Sequence, residues 1–340
     1  MTQSDTETVA ISDAGTPPST DPSGNSKIRL ARKGARFLRK HGPAIAARRV
    51  IWKYYYERFQ KQIANRAAQT GKDALSLQFL GAAFDLHPTK RGLSEELAMF
   101  GTHEPLATSS YLEFVKPGDQ VIDVGSNIGY WLLLAASKIG TSGRILGFEP
   151  VPAVFEILKR NIQHAGYSNV ELYPWAIGSK AGNAEFYQSK IPNWGSLIQD
   201  NRLLPTGSYQ VSVKKLDDIL DDHPSLRPTI LRMDVEGAEL MVLEGARRIV
   251  SRFKPSLCVE FHPFILGWQM IRDLLTDFQA LGYSSGILIE RTWDHPWISA
   301  WMRERRRWSG SISKLIQRIE SPQTNLVEST FTLILRGVGE

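Results

Sequence analysis

Nine consecutive residues, Val121-Ile-Asp-Val-Gly-Ser-Asn-Ile-Gly129, constrain the fold more than any other stretch of this chain. An apolar run, Val121–Val124, ends in a turn punctuated by Gly125 and Gly129, and a helical stretch through Leu132–Lys138 follows. Strand, glycine turn and helix in that order form the opening unit of an α/β sheet whose first turn faces a ligand. Gly125 lets the backbone approach that ligand closely, and Gly129 allows tight helix–strand packing. The spacing is G-x-x-x-G, unlike the G-x-G-x-x-G of dinucleotide-binding turns. Asp123 stands two positions before the first glycine. A carboxylate there repels a pyrophosphate but suits a ligand with a cationic amino-acid end and no phosphate.

The same unit recurs downstream. Arg144–Phe148 is a second predicted strand, and Pro152–Ala165 is a helix with Val154, Ile157, Leu158 and Ile162 on one face. Val170–Tyr173 is a third strand. After a polar insertion, Thr229–Met233 and Leu257–Phe261 are strands flanking a helix at Ala238–Val250. Gly286–Glu290 and Thr330–Arg336 form a terminal strand pair, separated by a Trp- and Arg-rich insertion at about 291–328. Buried strands alternating with helices predict an α/β fold: a doubly wound, mostly parallel sheet with right-handed crossovers and a terminal antiparallel strand. Ahead of this domain, 86–340, lie a polar tail at 1–26, expected to be disordered, and a basic helical extension at 27–85. Gly42–Pro43 breaks that extension, and Trp52, Tyr56, Phe59 and Ile63 form an apolar stripe along it.

Several acids and one histidine sit where such a sheet binds ligands. Glu149 ends the second strand, twenty residues after Gly129, beside the expected ribose position. In Leu231-Arg-Met-Asp-Val-Glu-Gly-Ala-Glu239, Asp234 and Glu236 fall at the carboxyl edge of the sheet. Glu239 reads equally as a helix N-terminal acid favoured by the macrodipole. His262 ends the fifth strand and shares a face with Glu260. Candidate proton acceptors are therefore Asp234, Glu236 and His262, with Glu260 behind them. Glu104, about eighteen residues before the first strand, is either a cofactor or acceptor contact or a helix-cap acid. No grouping of His, Asp and Glu has metal-ligand spacing along the sequence, so no metal is expected. Cys258, the lone cysteine, excludes a disulfide framework and reads as an inert thiol in a buried strand.

Asp-Val-Gly-Ser-Asn-Ile-Gly, Gly-Phe-Glu-Pro and Met-Asp-Val-Glu-Gly-Ala-Glu together resemble the FkbM family of methyltransferases over roughly residues 90–290. The stretches Asn193-Trp-Gly-Ser-Leu197 and Val213-Lys-Lys-Leu-Asp-Asp-Ile219 fall where that family has similar segments. The resemblance implies a class I methyltransferase, Rossmann-like fold, S-adenosyl-L-methionine as donor, and O-methylation of a small molecule, natural product or glycan. It implies cofactor roles for Asp123, Gly125, Ser126, Asn127, Gly129, Glu149 and Pro150, with Glu104 as a further candidate. Two alternatives stand beside it: a NAD-dependent oxidoreductase, and a catalytically silent methyltransferase-fold adaptor.

Net charge is +6, but it is unevenly spread. Residues 27–72 contain 14 Lys and Arg against one Glu. A basic segment with an aromatic stripe suits peripheral contact with an anionic membrane, or a helical cap on the enzyme. Nothing else in the chain resembles a nucleic-acid-binding module. The first residues lack an apolar signal region, and no apolar run is long enough to span a bilayer, so a cytoplasmic or membrane-peripheral protein is expected.

Overall fold

A computed structural model describes residues 76–87, 92–190, 194–203, 205–291, 306–320 and 330–337. The tail expected at 1–26 and the helices and membrane-binding stripe expected within 27–72 lie outside the described residues.

Residues 76–85, expected to end the helical extension, form a hairpin instead. β1 (Ser76–Phe79) pairs antiparallel with β2 (Ala82–Asp85). Leu80 and Gly81 between them have φ of 51° and 83°, the left-handed pair that matches strand twist in a two-residue turn. The helical period of the basic segment does not continue into this Leu–Gly punctuation, which is the reason for the correction. Asn161 anchors the hairpin: its Oδ1 accepts from the Asp85 amide at 2.6 Å, and its Nδ2 donates to the carbonyls of Asp85 and Ile128.

Helices α1 (Leu93–Phe100) and α2 (Pro105–Phe114) lead into β3 (Gln120–Val124). Then come α3 (Tyr130–Ile139), β4 (Arg144–Phe148), α4 (Pro152–Ala165) and β5 (Val170–Tyr173). The polar insertion folds into a small sheet of β6 (Ala176–Ile177), β7 (Gly182–Ser189) and β8 (Pro205–Lys214), followed by α5 (Leu216–Asp222). β9 (Ile230–Met233) and β10 (Ser256–Phe261) flank α6 (Glu239–Gly245) and α7 (Arg247–Phe253). The single helix expected over Ala238–Val250 is thus two. A Cβ on Gly245 would lie 2.1 Å from the Gly178 carbonyl, so the backbones touch where α6 ends. The chain finishes with α8 (Pro263–Leu266), α9 (Trp268–Ala280), β11 (Ser285–Glu290), β12 (Arg306–Ser311), α10 (Ile312–Glu320) and β13 (Phe331–Leu335).

The main sheet has the order β12-β11-β13-β10-β9-β3-β4-β5. The five strands from β10 to β5 are parallel, while β13 runs antiparallel to both β10 and β11, and β12 antiparallel to β11. The expected doubly wound sheet is present, with two reversed strands rather than one. β12 and α10 come from the Trp/Arg-rich insertion, which is therefore part of the fold. β12 lacks apolar alternation because it is an edge strand, and α10 buries only Ile312, Leu315 and Ile319. Alternate strand residues serve opposite core layers. Val121, Ile145, Ile230 and Cys258 pack with α1–α4, and Ile122, Leu146, Leu231 and Val259 pack with α5–α7, α9 and α10. Burial pushes the Cys258 thiol up to about 12, as befits an inert core position.

Candidate active site

β3 is where the winding reverses: β4 and β5 lie on one side, β9 and β10 on the other. A cleft opens at the carboxyl edge of these strands, the place where doubly wound sheets bind ligands. Gly125, Asn127, Glu149, Pro150, Asp234 and Glu236 line it, with Phe148 and Trp175 as an apolar wall. The small β6–β8 sheet contributes Phe186 to the opposite side.

The glycine turn is shaped by its neighbours as much as by any ligand. Gly125 has φ 76°, and a Cβ there would lie 2.1 Å from the Asp234 carbonyl. Gly129, at φ 96°, caps α3 and leaves 2.8 Å for a Cβ beside Leu158. Ser126 is buried and its Oγ donates to the Asp123 carbonyl at 3.0 Å, so it closes the turn rather than lining the cleft. Asn127, also left-handed, donates its amide to Glu149 Oε2 at 3.0 Å. The Val151 amide donates to Oε1 at 2.9 Å. Burial pushes Glu149 up to about 7 against these two bonds. The result is an oriented acceptor on the wall of the cleft.

Asp123 is buried and does not line the cleft. Its Oδ1 accepts from Arg232 Nη1 at 3.2 Å, and its Oδ2 has no hydrogen-bond partner among the described residues. Arg232 also donates to the Gly125 carbonyl and, through Nη2, to Asp234 Oδ2 at 3.3 Å. Burial opposes the charge of Arg232, but Asp123 and Asp234 outweigh it and hold the guanidinium charged. A lone arginine in the middle of a buried strand was the sequence signal for this group. Asp234 presents its other oxygen, Oδ1, buried and without a hydrogen-bond partner among the described residues. Burial and the nearby Glu260 push its carboxyl well above the usual carboxylate range.

His262 is buried between two acids. Nε2 lies 2.9 Å from Glu236 Oε2, and Nδ1 lies 2.7 Å from Glu239 Oε1. Burial alone would lower its pKa, but Glu239 and Glu236 raise it well above 6.5. Each ring nitrogen faces an acid, so His262 meets Glu236 and Glu239 rather than lining the cleft itself. Burial also raises Glu236, in the left-handed region at φ 51°. Glu239 is completely buried and also accepts from the Gly237 amide, so it orients His262 rather than serving only as a first-turn acid.

Glu104 caps α2 by position, with φ 45°, but makes no side-chain cap bond. It pairs instead with Arg291 and, at 3.2 Å, with His103 Nε2. Burial would raise Glu104, yet Arg291 and His103 hold it down at about 2. Glu104 is not on the cleft wall. Arg291, the first residue of the insertion, also pairs with Glu260 and donates to Thr332 Oγ1. A basic residue next to Glu290, two positions after the apolar run Gly286–Ile289, marked it in the sequence.

Residues 123–285 match the methyltransferase FkbM domain. Methyltransferase 1 of Beauveria bassiana is 33% identical over 143 residues, covering 37% of this chain and 57% of that protein. The hexuronic acid methyltransferase AglP of Haloferax volcanii is 29% identical, covering 39% and 52%. The 31-O-demethyl-FK506 methyltransferase FkbM of Streptomyces tacrolimicus is 28% identical, covering 38% and 60%. The chain thus spans little more than half the length of these relatives.

Proposed function

We propose that this chain, whose residues 123–285 match the methyltransferase FkbM domain on a class I, Rossmann-like fold, is an S-adenosyl-L-methionine-dependent enzyme that O-methylates a hydroxyl on a small molecule, natural product or glycan. The relatives named for a hexuronic acid and for 31-O-demethyl-FK506 support that acceptor class. The cleft suits the donor: a left-handed glycine turn at Gly125, an apolar wall at Phe148 and Trp175, and Glu149 placed to accept from ribose hydroxyls. When bound, the donor supplies an electrophilic methyl group, and much of the rate comes from alignment.

The chain's own residues then hold the donor and move one proton. Gly125, Asn127, Glu149 and Pro150 line the donor side. Asp123 acts from behind, holding Arg232 against the Gly125 carbonyl and Asp234. Asp234 accepts the acceptor's hydroxyl proton at Oδ1. The observation that carries this reading is that unpartnered Oδ1 on the same cleft as Glu149.

The test is transfer of labelled methyl from S-adenosyl-L-methionine to hexuronic acids and hydroxylated natural products. Asp234→Asn should lower turnover by about 10²–10⁴-fold with S-adenosylhomocysteine affinity retained. Wild-type turnover in that variant would overturn the assignment. For residues 27–72, the excess of basic side chains and the Trp52, Tyr56, Phe59 stripe support peripheral contact with an anionic membrane. Full-length chain that stays in the supernatant with anionic liposomes at low salt overturns that contact. No helix among the described residues is long and apolar enough to cross a membrane.

A further inference from the structure

We propose that Asp234, Glu236 and His262 form a site for one divalent cation of the magnesium–manganese class. The sequence hides this grouping because the histidine is separated from the acids by a whole crossover. The fold brings one ligand atom from each residue to within 4.8 Å of the others, at the carboxyl ends of the adjacent strands β9 and β10.

Three further observations point to a cation. Asp234 Oδ1 is buried with no hydrogen-bond partner among the described residues, an arrangement that a folded protein rarely leaves without a ligand or ion. His262 is held as metal-binding histidines are held: a fully buried carboxylate, Glu239, takes Nδ1 and leaves Nε2 aimed at Glu236. The local charge is also unbalanced. Among the described residues, the six acids Asp123, Asp234, Glu236, Glu239, Glu260 and Glu104 are paired with four basic groups, Arg232, Arg291, His262 and His103. Burying such an excess of carboxylates is unfavourable without a counter-charge.

A donor set of two carboxylates and one imidazole, with no thiolate, suits an oxygen-preferring cation that keeps open positions. On binding, the cation takes the place of the His262 Nε2 proton, which leaves to solvent. The site lies in the cleft that holds the acceptor under the methyl-transfer reading. Its role rests on that reading: with the cation bound, Asp234 Oδ1 is its ligand rather than the free proton acceptor, and a coordinated acceptor hydroxyl is acidic enough to lose its proton to solvent. The binding itself does not depend on it.

The experiment uses full-length chain freed of metals with a chelator. Titration with manganese(II) chloride, followed by calorimetry and by the electron paramagnetic resonance of free Mn²⁺, should give one ion per chain. Asp234→Asn and Glu236→Gln, each checked for a native circular dichroism spectrum, should weaken binding by at least about tenfold. Wild-type chain that binds no Mn²⁺ at millimolar concentration overturns the site, as does equal binding by both variants. Methyl transfer that persists undiminished in chelator overturns the cation's role and leaves the methyl-transfer reading standing. Stoichiometric Mn²⁺ binding without transfer to any hydroxyl does the reverse.

Discussion

Asp123 and Glu149 are acids at the ends of adjacent strands, and the fold uses them in opposite ways. Glu149 is held by two amides and turned to the cleft, so Glu149→Ala should weaken S-adenosylhomocysteine binding by about 1–3 kcal/mol. Calorimetric titration measures this, and unchanged affinity would contradict the ribose assignment. Asp123 is a partner of Arg232 behind the turn. Asp123→Ala leaves that arginine buried with less compensation and should lower folding stability by about 3 kcal/mol. Thermal denaturation of the two variants separates the roles: the Glu149 variant loses affinity, whereas the Asp123 variant loses melting temperature. Both acids were legible from their motif positions. Their division of labour was not, because Arg232 lies 109 residues from Asp123 and meets it only through the pairing of β3 with β9.

Among the elements, the parallel strands and the helix Pro152–Ala165 were legible because their apolar patterns are strong and their ends carry Gly or Pro. The β7–β8 hairpin and β12 escaped notice because exposed strands need no apolar alternation. The glycine turn was legible as a turn, but the reason for Gly125 lies in the β9–α6 turn. Gly125 and Gly140 both have φ near 70°, yet only Gly125 faces backbone at 2.1 Å. Gly140, at φ 67° and ψ −171°, occupies a region that essentially only glycine adopts, so Gly140→Ala should cost about 1–3 kcal/mol in backbone strain alone. Gly125→Ala must in addition push β9 from β3, and should abolish S-adenosylhomocysteine binding. Similar melting temperatures and affinities for the two variants would refute that contrast. In α10, Leu315→Ala removes a side chain that is 2% exposed and should cost about 2–5 kcal/mol. A cost well below 1 kcal/mol in denaturant titration would show that the insertion is dispensable to the core.

For the molecule as a whole, proton binding and folding are coupled. Burial moves Glu149 from its ordinary 4.5 to about 7. Burial opposes the charge on His103, but Glu104 and Glu96 raise it well above 6.5. Both groups bind protons more tightly in the folded chain, so both contribute stability at low pH that is lost as pH rises. Glu149 loses its share between 4.5 and about 7, up to about 3 kcal/mol, and His103 loses its share above 6.5. The melting temperature of the ligand-free chain should fall from pH 5 to pH 8, and fall less in Glu149→Ala. A rise over that range would contradict the burial of these groups. None of this was legible in composition, since a net charge of +6 gives no hint of a carboxylate-rich interior.

The position of β13 between β10 and β11 has a consequence for synthesis on the ribosome. Every strand from β3 to β10 can find its neighbours as it emerges, in chain order or by one crossover. β11 cannot join them, because the strand that must lie between, Phe331–Leu335, begins 41 positions after Glu290 ends β11. Until Phe331–Leu335 leaves the exit tunnel, β10 keeps a bare hydrogen-bonding edge that invites a foreign strand. Nascent chains of this protein therefore pass through a stage at which the donor-binding half is complete and the sheet is still open, the stage at which a chaperone has most to protect.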